Sequence, residues 1–148
     1  MIIRKFKESD AKKVSYLVRK AQIEVVSPYY PKKIIETLFR RWTPSSVIAR
    51  SKVREIFLAV EGNKILGIGA LDRNELKHIY VNPLYHKKGV GKTLIQNIEK
   101  IARKRRIKKL IVKSHINSEG FYKKMGFKRI RRIMEEPGYV EILMKKTL

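Results

Sequence analysis

The sequence predicts a mixed α/β fold, a central mixed sheet with helices on its faces, in the order β-α-α-β-β-β-α-β-α-β-β. Two observations predict it. Short strand-like runs alternate with segments whose apolar residues recur at helical spacing. A strand–helix–strand unit over residues 75–113 also asks for a right-handed parallel crossover, beside runs joined as hairpins. The chain has 148 residues, 43% of them hydrophobic, enough for one core. A single domain over residues 1–148 is expected, because no linker, repeat or low-complexity tract interrupts it.

Residues 2–6 open the chain as a strand. Ser9 and Asp10 then offer N-cap and first-turn chemistry to a helix carrying Ala11, Val14, Leu17, Val18 and Ala21 on one face. A second amphipathic helix starts near Pro31, with Ile34, Ile35, Leu38, Phe39 and Trp42 as its stripe, and Pro44 is expected to stop it. Strand IFLAV (56–60), the turn Glu61-Gly62-Asn63-Lys64 and strand ILGIGAL (65–71) form a hairpin. Residues 75–81 continue the meander until Pro83, which cannot donate to a ladder. Residues 89–104 are the strongest helix, with Val90, Leu94, Ile95, Ile98, Ile101 and Ala102 apolar and Lys/Arg elsewhere. Strand KLIVK (109–113) and a short helix over residues 119–125 follow. Two last strands, 127–133 and 139–145, flank the turn Glu135-Glu136-Pro137-Gly138.

Composition narrows the chemistry. There are no cysteines, which excludes disulfides, zinc–thiolate sites and an acyl-cysteine intermediate. No metal site is expected. No apolar run approaches the roughly 18–20 residues of a membrane helix, and the opening MIIRKFKESD is no signal peptide. A soluble, cytoplasmic protein is the expectation. The net charge of +23, from 36 Lys+Arg against 13 Asp+Glu, attracts polyanions. Nucleic acid, ribosomes, acidic proteins and cofactor phosphates all qualify. A lysine-rich, heat-adapted surface is the plainer alternative, although such surfaces usually balance Lys with Glu.

The most informative segment runs from Val81 to Thr93, out of a strand, through a loop with Gly89 and Gly91, into the strongest helix. The first N–H groups of that helix and its positive dipole end form an anion site. Lys87, Lys88 and Lys92 add charge around a pyrophosphate. By itself G-x-G favours a plain strand-to-helix turn in which the two glycines serve geometry only. The loop is not G-x-x-x-x-G-K-[ST], and a dinucleotide fingerprint would need glycine at Leu94.

Val81, Pro83, Gly89 and Gly91, in the pattern V-x-P-x-x-[QR]-x-x-G-x-G after a strand, resemble the acetyl-CoA-binding motif of the GCN5-related (GNAT) N-acetyltransferases. His86 stands where that family usually has Gln or Arg. Downstream, Gly120-Phe121-Tyr122-Lys123-Lys124-Met125-Gly126-Phe127 is similar to the family's FYxKxGF segment. The family's usual Asn position holds His115, and Asn117 lies close by. The specific resemblance covers roughly residues 75–127.

The resemblance implies a GNAT-like acyl-CoA N-acyltransferase fold. It also implies acetyl-CoA as cosubstrate, and acetyl transfer to a primary amine by direct attack in a ternary complex. The pantetheine arm would pair with Ile79, Tyr80 and Val81, in a gap between that strand and residues 109–113. His86, Lys87, Lys88, Gly89, Val90, Gly91, Lys92 and Thr93 would hold the phosphates, and Asn117 would add a contact. Tyr122 matches the tyrosine that protonates the departing sulfur, while Phe121 is expected to pack beneath the sheet. Glu75 lies eleven residues before His86, where several members carry a catalytic Glu. His78 has the better unperturbed pKa for a base but, in a regular strand, faces away from Glu75. Glu75, His78 and water all stay open as the base.

The resemblance implies an amine acceptor, as a small molecule, a protein N-terminus or a lysine. Its contacts would come from residues 26–54 and 134–139, where no motif speaks, and the chain is expected as a monomer or a homodimer. The rival class is a basic nucleic-acid- or ribosome-binding module, supported by the charge and by the run Arg103-Lys104-Arg105-Arg106-Ile107-Lys108-Lys109. A non-catalytic CoA-binding domain is the third reading.

Overall fold

In a computed structural model of the chain, residues 1–135 and 138–148 are described. Glu136 and Pro137, the middle of the expected final turn, lie outside them. The elements are β1 (Ile2–Lys5), α1 (Ala11–Ala21), α2 (Lys32–Arg40), α3 (Pro44–Val53), β2 (Glu55–Glu61), β3 (Lys64–Asp72), β4 (Glu75–Val81), α4 (Val90–Lys104), β5 (Lys109–His115), α5 (Glu119–Lys124), β6 (Lys128–Glu135) and β7 (Tyr139–Thr147). The strands form one seven-stranded sheet in the order β1-β2-β3-β4-β5-β7-β6. Every neighbouring pair is antiparallel except β4 and β5, which are parallel and joined through α4 as the crossover. The mixed α/β architecture is the one expected from the sequence.

Both faces of the sheet are covered, which is why β2 reads as a continuous apolar run. Ile56, Leu58 and Val60 join Val14, Leu17 and Val18 of α1 and Val47 of α3. Their alternates Phe57 and Ala59 join Leu94, Ile95 and Ile98 of α4, with Phe127 and Met144. Inside the apolar stripe of α4 sits a buried carboxylate, Glu99. Lys146 of β7 holds it at 2.8 Å and Arg103 at 3.6 Å, tying helix to sheet.

The region after α1 departs from expectation. Pro44 does not only stop a helix; it begins α3, at the first position, where its missing N–H costs nothing. Thr43 caps that helix, its hydroxyl accepting from the Ser46 N–H at 3.3 Å. The stripe predicted for α2 is therefore divided. Ile35 and Leu38 pack with Tyr30 and Tyr139, whereas Trp42 belongs to the core beneath α1 and α3.

Asp10 also acts differently from a forward cap. Its carboxylate accepts from the Lys7 N–H (2.8 Å) and from both terminal nitrogens of Arg4 (2.8 and 2.9 Å), clasping β1 to the start of α1. Arg4 is the main reason its pKa is lowered. A depressed carboxylate stabilises the fold above the unfolded aspartate pKa and loses that contribution as pH falls through the folded one. Asp10→Asn is expected to cost about 1–2 kcal/mol at neutral pH. In urea titrations the gap to wild type should close below about pH 4.

β4 carries the feature that shapes the site. Ile68 pairs with Tyr80 and Ala70 with Lys77, so Gly69 alone faces two residues, His78 and Ile79. His78 sits at φ 56, in the left-handed region. This bulge inverts the alternation beyond it. Leu76, Ile79 and Val81 all pack on the α4 side. His78 turns to the opposite face, against Trp42, with ring centroids 4.9 Å apart. The regular-strand expectation that His78 faces away from Glu75 is thus overturned.

Candidate active site

β4 and β5 pair only at Glu75–Ile111 and Leu76–Val112. Beyond these positions the strands part, and the inner edge of β4 keeps backbone N–H and C=O groups outside the ladder. Two cavities open at this gap. One, of ≈ 490 Å³, runs along the loop and the N-terminus of α4. The other, of ≈ 260 Å³, lies toward α2, α3 and the start of β7. Ile79, Tyr80, His115, Ser118 and Tyr122 line both, so the two meet there.

The first cavity contains nearly all the residues assigned to the cosubstrate. Ile79, Tyr80, Val81, His86, Lys87, Gly89, Val90, Gly91, Lys92 and Asn117 line it. Lys88 and Thr93 do not. The Thr93 hydroxyl donates to the Gly89 carbonyl at 2.8 Å, spent within the first turn of α4. Tyr85, Ser118 and Phe121 also line the groove, residues the sequence reading did not assign to it.

Loop geometry suits an anion. Lys87 (φ 62) and Gly89 (φ 77) both adopt left-handed conformations ahead of α4, the kind of backbone that turns successive N–H groups toward one point. A Cβ on Gly89 would meet nothing within 4 Å, so open space lies above the loop. Gly91 is a different case. A Cβ there would lie 3.1 Å from the Phe121 ring, which fills the place of the missing side chain. Phe121 is accordingly 38% exposed on the groove wall, not packed beneath the sheet as expected.

Tyr122 is the buried aromatic of α5. Its ring packs edge-on to Phe121 and Phe127, with centroids 5.2 and 5.7 Å away. Burial first, then Tyr80 and Glu141, push its pKa well above the usual tyrosine range, so it is a neutral phenol. Tyr80 is raised to about 12, mainly by burial. His115, between Tyr30 and Tyr80, is lowered by burial to about 4 and is a neutral imidazole at pH 7.

The two potential bases fare differently. His78 Nε2 lies 2.7 Å from Arg54 Nη1. Burial, Arg54 and Arg50 hold its pKa well below the ordinary histidine value, so Nε2 accepts from Arg54 as neutral imidazole. Glu75 lines the second cavity and pairs with Lys77 at 3.6 Å.

The second cavity is built largely from residues that carried no motif. Trp42, Arg41 and Arg50 come from the α2–α3 region, Tyr139 and Glu141 from β7. Tyr30 fixes their relation. Its hydroxyl donates to the Val140 carbonyl at 2.6 Å and accepts from the Ile116 N–H at 3.3 Å, joining the α1–α2 connection to the ends of β7 and β5. Spans 110 and 86 residues apart leave no local periodicity to detect. Part of the basic run is spent internally, since Arg103 pairs with Glu99 (3.6 Å) and Arg105 with Glu55 (2.7 Å). Among the described residues no cluster of His, Asp or Glu is arranged to hold a metal ion. No helix among them is long and apolar enough to cross a membrane.

Comparison with known proteins agrees with this fold. A family model described as "Acetyltransferase (GNAT) domain" matches residues 26–148. The chain is similar to PaiA N-acetyltransferase of Thermoplasma acidophilum, solved with coenzyme A. The two are 27% identical, with 99% of this chain and 98% of that one covered and a TM-score of 0.84. It shares its fold with a GCN5-related N-acetyltransferase from Rhodopseudomonas palustris (22% identity, 99% and 95% covered, TM-score 0.94). The fold is shared too with the ribosomal-protein-S18-alanine N-acetyltransferase of Escherichia coli (17%, 99% and 92%, TM-score 0.72). No curated protein sequence matches the chain.

Proposed function

The chain belongs to the GNAT acetyltransferase family, and from that premise we propose that it transfers an acetyl group from acetyl-CoA to a primary amine, both bound at once. The observation that carries this is the meeting of two cavities at one buried phenol, Tyr122. A groove shaped for a phosphate-bearing chain on one side and a smaller chamber on the other bring two substrates to the same atoms.

Each proposed role follows from chemistry already described. The first-turn N–H groups of α4 hold the pyrophosphate, with Lys87 and Lys92 at the rim. His86 lines the same groove, where the family usually has Gln or Arg, and adds a contact there. The unpaired edge of β4 from Ile79 to Val81 takes the pantetheine amides as a strand takes a neighbour, and Asn117 lines the same path. Tyr122 gives its proton to the departing thiolate and is restored from solvent or from the amine. Glu75 is the better base of the two considered, acting through water. The His78 lone pair is already engaged by Arg54.

The chain has no cysteine to carry an acyl group, which accords with the direct transfer proposed. Initial-rate lines measured against acetyl-CoA at several amine concentrations should intersect. Parallel lines, or an acyl-enzyme that can be isolated, would remove the ternary-complex scheme. Acetyl-CoA at a hundred times its Kd should also stabilise the protein by about 2.7 kcal/mol, seen as a rise in Tm.

A further inference from the structure

The chamber assigned to the acceptor is lined by charges of both signs. Arg41, Arg50, Lys77 and Lys113 face Glu75 and Glu141. Lys77 and Glu75 pair with each other. Arg50 is the distinctive member. α3 carries it inward until its guanidinium lies 4.1 Å over the ring of Trp42. Its Nη1 donates to the carbonyls of Arg41 (2.6 Å) and Ser46 (3.4 Å). Among the described residues no carboxylate pairs with it. Burial first, then the like charge of Arg54, lower its pKa, with Arg41 adding to them and Tyr80 opposing. Arg54 is itself committed to Asp72 at 3.8 Å and to His78. A half-buried guanidinium fixed on an aromatic face, with donors to spare and no anion, is short of a counter-ion.

We propose that the acceptor supplies it: the substrate is a small amine that also carries an acidic group, carboxylate or phosphate, which Arg50 binds while the amine lies at the Tyr122 end. This rests on the acetyl-transfer reading and narrows its substrate class. A chamber of ≈ 260 Å³ suits a molecule of amino-acid size. The forked donors of arginine match either acid. A polyamine, whose several charges are all positive, offers no anion to Arg50 and would meet its like charge.

Two readouts test this independently. Trp42 is the chain's only tryptophan, so an anion arriving at Arg50 changes the emission of a single reporter. Titration with β-alanine and with O-phosphoethanolamine should give a saturable change that β-alaninamide, ethanolamine and spermidine do not give. With acetyl-CoA present, kcat/KM for the better acidic amine should exceed its uncharged counterpart by about 10- to 100-fold, the worth of a hydrogen-bonded ion pair. Which acidic amine wins tells carboxylate from phosphate. Arg50→Gln should bring that ratio close to one, and Arg50→Lys should keep part of it, as charge without the fork.

Counterparts used as well as the acidic amines, spermidine used best, or a ratio unchanged in Arg50→Gln would each overturn the proposal. Binding of acetyl-CoA with no amine acetylated would instead sink the acetyl-transfer reading. The fluorescence titration would still decide the claim for Arg50.

Discussion

Replacing Tyr122 by phenylalanine is expected to lower kcat by about a hundredfold while leaving acetyl-CoA affinity nearly unchanged. The substitution keeps the ring, and the ring is what packs against Phe121 and Phe127. Only the hydroxyl is lost, from a residue that lines both cavities. Positioned proton donation is typically worth about 10²–10⁴ in rate, and a thiolate is a good leaving group, which places the effect near the lower end. The pKa adds a second reading of the same residue. The protonated phenol is the active form, and burial raises its pKa, so its proton is retained as pH climbs. The wild-type rate should therefore show no loss from Tyr122 ionisation below about pH 10, the usual tyrosine value. An unchanged kcat in the variant, with the chemical step shown to limit turnover, would reduce Tyr122 to a packing residue.

Gly91→Val should weaken acetyl-CoA binding by about a hundredfold or more, measured by calorimetry. A valine cannot occupy this position without moving Phe121, because even a Cβ would lie 3.1 Å from its ring. Its branches would then crowd the groove and the first-turn N–H groups. Each charge-assisted hydrogen bond lost there costs about 1.5–3 kcal/mol. Two causes are separable. In Gly91→Val combined with Phe121→Ala, the clash between α4 and α5 is relieved. Binding that stays lost assigns glycine to the approach of the phosphates; binding that returns assigns it to helix packing. Gly89→Ala is the contrast, since its Cβ enters open space and only the φ of 77° is strained.

Much of this was legible in the chain itself. Periodicity located every strand and most helices, because each element's apolar face is a local property of spacing. The loop from Val81 to Gly91 was legible as a candidate phosphate site, because holding phosphate with backbone N–H groups would need a fixed sequence of strand, glycines and helix. Tyr122 was legible through its neighbours in one short segment. What the spacing misjudged was the partition of roles within that segment. Phe121 and Tyr122 are adjacent on α5, yet Phe121 stands half-exposed on the groove against Gly91 while Tyr122 is buried in the core with Phe127.

The sequence alone determined the order of every element except α3, and it marked the candidate anion-binding loop and phenol, each within one short segment. Tertiary structure decided the rest. A β-bulge is a mismatch between two strands, so Lys77 and Tyr80 had to be paired with Ala70 and Ile68 before His78 fell on its observed face. The start of α3 at Pro44 depended on Thr43 capping it in a place where Trp42 is anchored in the core. The acceptor chamber is the clearest case. Arg50, Glu75 and Glu141 share a wall only because β7 enters the sheet beside β5, setting Glu141 opposite His115, and because Tyr30 ties the helical region to that edge. Contacts between residues so far apart leave no period in the chain, since they are fixed by which surfaces are buried together and not by the spacing along any one element.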